Sequence, residues 1–433
     1  IDGSQSIDSY GDRDWHSRGS VVEYTYDERG LLIGAEEKKG AFGVLLIDDG
    51  FGNITKTETI RKEFEIINDQ AKVKIVETHT EIDNIDGSQS IDSYGDRDWH
   101  SRDSIVEYEY NRQTGLLEGA RESQHGITLM DDGFGNITKT ETSRTYTPPI
   151  NGQVKVATVK TDTEIQNIDG SATITDYEDR DWRPQASVVE YKYDDRGLLY
   201  EANEITPGIL LMDDGFGNIT RTETIKQKFE IIKGQAKVKI VKTHIEIDNI
   251  DGSQSIDSYG DRGWHSQDSV MRYTYDDNTG LLKDNGAVED QSGIILIRDS
   301  FDNVTMTESE RIYKLVKGQA KVGEITTSIH TQNIDGSTSD TIRGEEEVLE
   351  YSYDEEDTGK LLRIENTRNS IVLNNDGFGN KTITTTHKEF GPTEETKQIK
   401  LLKSKSWTET NKDYGATSLD GTEIKNIHAS VVT

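Results

Sequence analysis

Apolar residues alternate with polar ones over short stretches of this chain, and the stretches are separated by clusters of Gly, Asn and Asp. In Ser20–Tyr26 (SVVEYTY), Val22, Tyr24 and Tyr26 share one face and Val21, Glu23 and Thr25 the other, the two-residue period of a half-buried β-strand. The same face returns as Val106/Tyr108/Tyr110, Val189/Tyr191/Tyr193, Met271/Tyr273/Tyr275 and Leu349/Tyr351/Tyr353. Each copy runs into a turn ending in Gly whose length varies, from DERG at Asp27–Gly30 to DEEDTG at Asp354–Gly359. Insertions confined to this place predict a surface hairpin loop with its Gly at positive φ. An apolar run follows, such as VLLI (Val44–Ile47) or IILI (Ile294–Ile297), and its continuous character predicts a strand buried on both faces. Next comes Asp-Gly-Phe-Gly-Asn at Asp49–Asn53, Asp132–Asn136, Asp214–Asn218 and Asp376–Asn380, the strongest turn signal in the chain. A Thr-rich strand and a GQAKVKIV-like strand complete about six strands, and no stretch has helical periodicity, so the expected fold class is all-β.

These elements repeat at long range. IDGSQSIDSYGDR occurs unchanged at Ile1, Ile85 and Ile250, with degenerate copies at Ile168 and Ile334 and a last partial copy, NIHAS, from Asn426. The expected organisation is five tandem β modules of about 84 residues, at 1–84, 85–167, 168–249, 250–333 and 334–426, with 427–433 opening a further one. The fifth lacks the Trp-containing segment and carries an extra stretch around Trp407 to Leu419, as an atypical terminal repeat does.

Composition narrows the function. With 81 acidic and 49 basic residues among 433, the net charge of −32 repels phosphate, so nucleic-acid and anionic-membrane partners are not expected. Hydrophobic residues at 32% leave only thin cores. The absence of Cys excludes disulfides, thiolate zinc sites and cysteine nucleophiles. No apolar run of about 18 residues is present, so no membrane insertion by a helix is expected. The chain starts without Met or a signal peptide, and the expectation is that residue 1 lies within a longer precursor or a processed product.

The pair Y-x-Y-D-x-x-G-x-L and D-x-F-G-N-x-T, carried by Tyr24, Tyr26, Asp27, Gly30 and Leu32 with Asp49, Phe51, Gly52, Asn53 and Thr55, resembles the YD repeat of bacterial RHS-type surface and toxin proteins. Roughly 35 residues of each module take part, and they are mainly turn residues. The resemblance implies β-hairpins in extended sheets, in some members wound into a hollow shell around a toxin, and a secreted or surface setting. Two departures stand out: the period here is about four times the family's, and neither the family's core signature nor a C-terminal toxin is present.

Three residue groups invite chemistry. Asp8, Asp12 and Asp14, echoed by Asp92, Asp96 and Asp98 and by Asp176, Asp179 and Asp181, offer oxygen ligands for Ca²⁺, whereas the competing reading makes them solvated turn residues that cap backbone N–H groups. Gly263 replaces the third Asp in the fourth module. Trp15, Trp99, Trp182 and Trp264 are platforms for a sugar or anchors of a thin core, and the anchor reading is preferred. Asn53, Asn136, Asn218, Asn303 and Asn380 each begin N-x-T, which is both a glycosylation sequon and what a turn entering a strand requires. Motifs of Ser hydrolases, zinc proteases and P-loops are missing, and no enzyme is expected.

The expected function is an extracellular or cell-surface structural protein, a fibre or filament subunit or a stalk, with itself as partner. Strand addition between the start (Ile1, Asp2, Gly3, Ser4) and the end (Ile424, Asn426, Ile427) of neighbouring copies would join it head to tail. The alternatives are an adhesin for a surface glycan or receptor and a fragment of an RHS-like toxin-enclosing shell. No cofactor is required, Ca²⁺ being the one candidate.

Overall fold

The computed structural model describes residues 5–49, 52–356, 358–393, 398–410 and 428–430. The described residues form β-strands and turns, with single 3₁₀ turns at Gly11–Arg13, Gly95–Arg97 and Glu178–Arg180. One antiparallel sheet takes in 31 strands, and small two-residue ladders such as Ser9–Tyr10 with Trp15–His16 sit beside it. The all-β expectation is met. The proposed terminal strands at Ile1, Asp2, Gly3, Ser4, Ile424, Asn426 and Ile427 lie outside the described residues.

The sheet is built on long hairpins. Ile54–Ile67 and Gln70–Asp83 are each 14 residues, about 45 Å in extension. They are joined by Asn68 and Asp69, both left-handed at φ 51° and 63°, the two-residue loop whose twist matches the flanking strands. Lys233–Gly234 and Lys317–Gly318 repeat that geometry.

Each long strand serves two lanes of shorter partners. In the lower lane Val44–Asp48 pairs with Ile54–Glu58, and in the upper lane Glu36 pairs with Glu63. On the far side of the hairpin, Ile75–Thr78 pairs with Ser104–Glu107 above while Asp83 pairs with Gln89 below. The upper hairpin Ser104–Tyr110/Leu117–Gln124 and the lower pair Gln89–Ile91/Gly126–Asp131 then lead to the next long strand, Ile137–Tyr146. Equivalent pairings recur beyond it.

Burial follows from this layout. Each of the first four apolar runs contributes one fully buried leucine, Leu46, Leu129, Leu211 or Leu296, while the adjacent Leu45 is 47% exposed. The expectation of burial on both faces is therefore corrected: only the face roofed by the Trp-containing segment is closed, as is usual for an antiparallel sheet. In the upper lane, the hydroxyls of Tyr193, Tyr275 and Tyr353 donate to the carbonyls of Val156, Val238 and Val322 in the preceding long strand, at 2.9, 2.8 and 2.9 Å. That contact explains the Y-x-Y spacing, which sets both rings on one face and brings the second within reach of the neighbouring backbone.

Candidate functional site

The aspartate-rich turn is set by its backbone geometry. Asp14, Asp98 and Asp181 end their 3₁₀ turns in left-handed geometry (φ 54°, 54° and 52°), and the N–H groups of Asp14 and Asp98 return to Gly11 and Gly95 at 3.3 Å. Their side chains point into solvent. Gly263, at φ 63°, fills the same place in the fourth block, so that departure follows the backbone and no ligand set. Among the described residues no three His, Asp or Glu side chains gather where an ion could bind. Asp8, Asp12, Asp14, Asp92, Asp96, Asp98, Asp176, Asp179 and Asp181, the residues expected to offer oxygen ligands to Ca²⁺, belong to these turns or their flanks.

The adjoining tryptophans are roofs. Trp15, Trp99 and Trp182 are buried over Leu46/Ile54, Leu129/Ile137 and Leu211/Ile219. Each is tilted against a tyrosine (Tyr10, Tyr94, Tyr177) with ring centres 5.8–6.0 Å apart. Arg13, Arg97, Arg180 and Arg262 lie over the four indoles at 5.0–5.5 Å. The same guanidinium groups reach onward as clasps: Arg13 to Asp83 (3.3 Å) and Gln89, Arg97 to Gln166 (2.6 Å), Arg180 to Gln254, and Arg262 to Gln332 (2.8 Å). Trp15, Trp99 and Trp182 are thus core anchors, the preferred reading, whereas Trp264 is half-buried.

The Asp-Gly-Phe-Gly-Asn turn uses both ends of its asparagine. Asn136 Nδ2 donates to Asp132 Oδ2 at 2.6 Å, and its Oδ1 accepts the N–H of Ile168, the first residue of the next block, at 3.0 Å. Asn53, Asn218 and Asn303 repeat both contacts, toward Ile85, Ile250 and Ile334. Asn380 Nδ2 is likewise held by Asp376. The turn reading thus gives each of the five sequon asparagines a structural task, holding its aspartate partner.

A second repeated contact escaped the sequence reading. Arg144, Gln227 and Arg311 sit where a long strand has left its lower partner and not yet met its upper one. Their backbone N–H groups are accepted by Glu122 (2.6 Å), Glu204 (2.9 Å) and Glu289 (2.5 Å), and Asn366 accepts Lys388 N–H at 3.0 Å in the same way. The Glu122 and Glu289 side chains are 0% and 1% exposed, each with an arginine at 3.1 Å. Burial pushes the Glu204 carboxyl above its ordinary pKa, and one of its oxygens is buried without a partner. The signal was available: an acceptor residue stands four places before Gly126, Gly208, Gly293 and Ser370.

Where the fifth block lacks its Trp segment, a cavity of about 600 Å³ opens between Trp264, Ile342 and Leu373. Met306 and His330 line it. They stand opposite each other in the register that holds the ion pairs Lys56–Glu81, Lys139–Glu164 and Arg221–Glu246 elsewhere. His330 Nδ1 lies 3.2 Å from Asp340 Oδ1, and Arg262 is 3.7 Å from the same carboxylate.

The sheet also meets itself. Lys400 Nζ lies 3.3 Å from Asp169 Oδ2, and Lys360 Nζ sits 5.5 Å from the centre of the Phe134 ring. Both contacts join the upper rim of the fifth block to lower-rim turns, one in the second block and one at the start of the third. The sheet thus coils back after about twelve strand spacings, a circumference on the order of 60 Å and a backbone tube roughly 20 Å across. Apolar residues on the lower rim follow that closure. Phe134, beneath Lys360, is half-buried, whereas Phe216 and Phe378, beyond the overlap, are 77% and 91% exposed.

No protein-family model matches the chain, and no curated protein does. Among solved structures it has a faint likeness to a crystal structure of TcdB2-TccC3-Cdc42, at 9% identity and a TM-score of 0.07 over 92% of this chain and 31% of that one. A second, TcdB2-TccC3 without its hypervariable C-terminal region, gives 9% and 0.08 over 93% of this chain and 31% of the other. The chain thus spans less than a third of the length of either.

Proposed function

We propose that this chain is a length of wall: a coiled β-sheet segment of an RHS-like shell, passive in itself and built by repetition. The observation that carries the reading is the return of the sheet onto itself at Lys400–Asp169 and Lys360–Phe134. A sheet that only ran straight would keep those repeats far apart. The YD-like residues support it from the sequence side, since Tyr193, Tyr275 and Tyr353 stitch block to block and the Asp-Gly-Phe-Gly-Asn turn anchors the next one. The fibre or stalk reading draws no comparable support from the fold. A secreted or surface setting, and the absence of catalysis, belong to the same proposal.

The test is a zero-length carbodiimide crosslink on the intact chain, read by peptide mass spectrometry. A coiled wall yields an amide between Lys400 and Asp169, lost in Lys400→Arg. A chain with full β-sheet circular dichroism and no such crosslink rules the coil out.

A further inference from the structure

We infer that Ile225 sets the coil: as an extra residue in the outgoing strand of the third long hairpin, it bends the sheet far enough to bring Lys400 onto Asp169. The inference rests on the coiled-wall reading and names the device that produces the coil.

All five long hairpins share one β-bulge on the returning strand, at Lys74, Ala157, Lys239, Gly323 and Leu402. The first and third carry a second bulge, on the outgoing strand. Thr59 and Arg61 stand opposite the consecutive residues Thr78 and Glu77, and Thr224 and Lys226 opposite Thr243 and Lys242. Ile60 and Ile225 are thereby left with no residue opposite them. The second, fourth and fifth hairpins run through this point in unbroken register. The extra residue moves Lys62 and Gln227 to the register place that Arg144 and Arg311 hold in the second and fourth.

Both extra residues fall where the outgoing strand changes lanes. Thr224 N–H still reaches the Gly208 carbonyl at 2.9 Å, and the upper lane begins at Lys228, opposite Asn203. In the first hairpin the corresponding limits are Thr59 N–H, 3.0 Å from the Gly43 carbonyl, and Glu63, opposite Glu36. A strand held by a ladder on one side only is free to bend, and a bulge bends it and increases its right-handed twist. Ile225 is 39% exposed, so its weight lies in the backbone and little in core packing.

Position along the sheet decides what each bulge can close. The path from Asp169 to Lys400 crosses the third, fourth and fifth hairpins, and Ile225 is the outgoing-strand bulge on that path. Ile60, the same insertion in the first hairpin, lies outside the arc. A change of about 10° at Ile225, carried over about nine strand spacings, moves Lys400 by roughly 7 Å, beyond the reach of a zero-length crosslink.

The Lys400–Asp169 carbodiimide crosslink tests this on the full chain and on single deletions of Ile225 and of Ile60, with circular dichroism of the same samples. Deleting Ile225 gives the third hairpin the unbroken register of the fourth, so the β-sheet spectrum should be kept while the crosslink falls about tenfold or more. Deleting Ile60 should leave the crosslink at the parent's yield. If the Ile225 deletion lowers the β-sheet signal, an Ile inserted after Ser309 gives the fourth hairpin a bulge of its own within the same arc, and it too should abolish the crosslink. A folded variant of either kind that crosslinks like the parent overturns the role of Ile225 and leaves the coil standing, as does equal loss in both deletions. A parent chain that does not crosslink overturns both.

Discussion

Two residues carry opposite lessons about what a side chain is for. Asp98 holds a backbone angle, φ 54°, that Gly263 meets equally well at 63°. Asp98→Gly should therefore leave the melting temperature nearly unchanged and Asp98→Val should cost about 1–2 kcal/mol, because a β-branched residue resists left-handed geometry. Added chelator should move neither melting curve. Glu204 looks like one more surface acid among many, and instead it accepts the N–H of Gln227 from a partly buried site. Because burial raises its pKa, the folded chain holds a proton at pH values where the unfolded chain has released it. The contribution of Glu204 to stability thus rises as pH falls from neutral toward its ordinary value of 4.5. Thermal melts of Glu204→Gln should lack that rise, and a variant whose profile parallels the parent's over this window would refute the assignment. Asp214, Asp299 and Asp376 act the other way. Their asparagine and backbone donors lower their pKa, so what they add is present above the ordinary value of 3.8 and is lost as pH falls below it.

The strand is the scale at which the sequence was most legible. Among the described residues, the Y-x-Y strands, the hairpin loops of varying length and the Asp-Gly-Phe-Gly-Asn turns lie where alternation and turn chemistry place them, because these signals act within a few residues. The apolar run misled for a physical reason. Val44–Ile47 is continuous in sequence, yet the strand has one roofed face, so Leu46 is buried and Leu45 is not. The roof is the Trp segment, some thirty residues away in the chain, and periodicity has no access to it. Its loss in the fifth block defines the weakest element: Ile342, Leu373 and Ile383 form a small cluster there without an indole, next to the 600 Å³ cavity. Amide hydrogen exchange should be fastest, among the lower-lane strands, in Thr338–Thr341 and Ser370–Asn375, and slower in Gly126–Asp131 and Ile209–Asp213, where Trp99 and Trp182 close the face. Equal protection would mean that the tryptophans contribute little to local stability.

At the scale of the whole molecule, the repeat made successive blocks alike, and the recurring registers of the long hairpins follow from that likeness. The sequence by itself determined the strand inventory, the turn residues, the thin core, and the absence of any apolar stretch long enough for a membrane helix. It determined these because each depends on near neighbours or on composition. Only the tertiary structure decided that long strands feed two lanes, that buried glutamates accept the N–H groups stranded between those lanes, and that the fifth block comes back within side-chain reach of the second and third. Sheet twist is a small rotation per strand, invisible in any one block, and it becomes a coil only when summed over about a dozen strands. Lys400 and Asp169 are 231 residues apart, and it is that sum which brings them together.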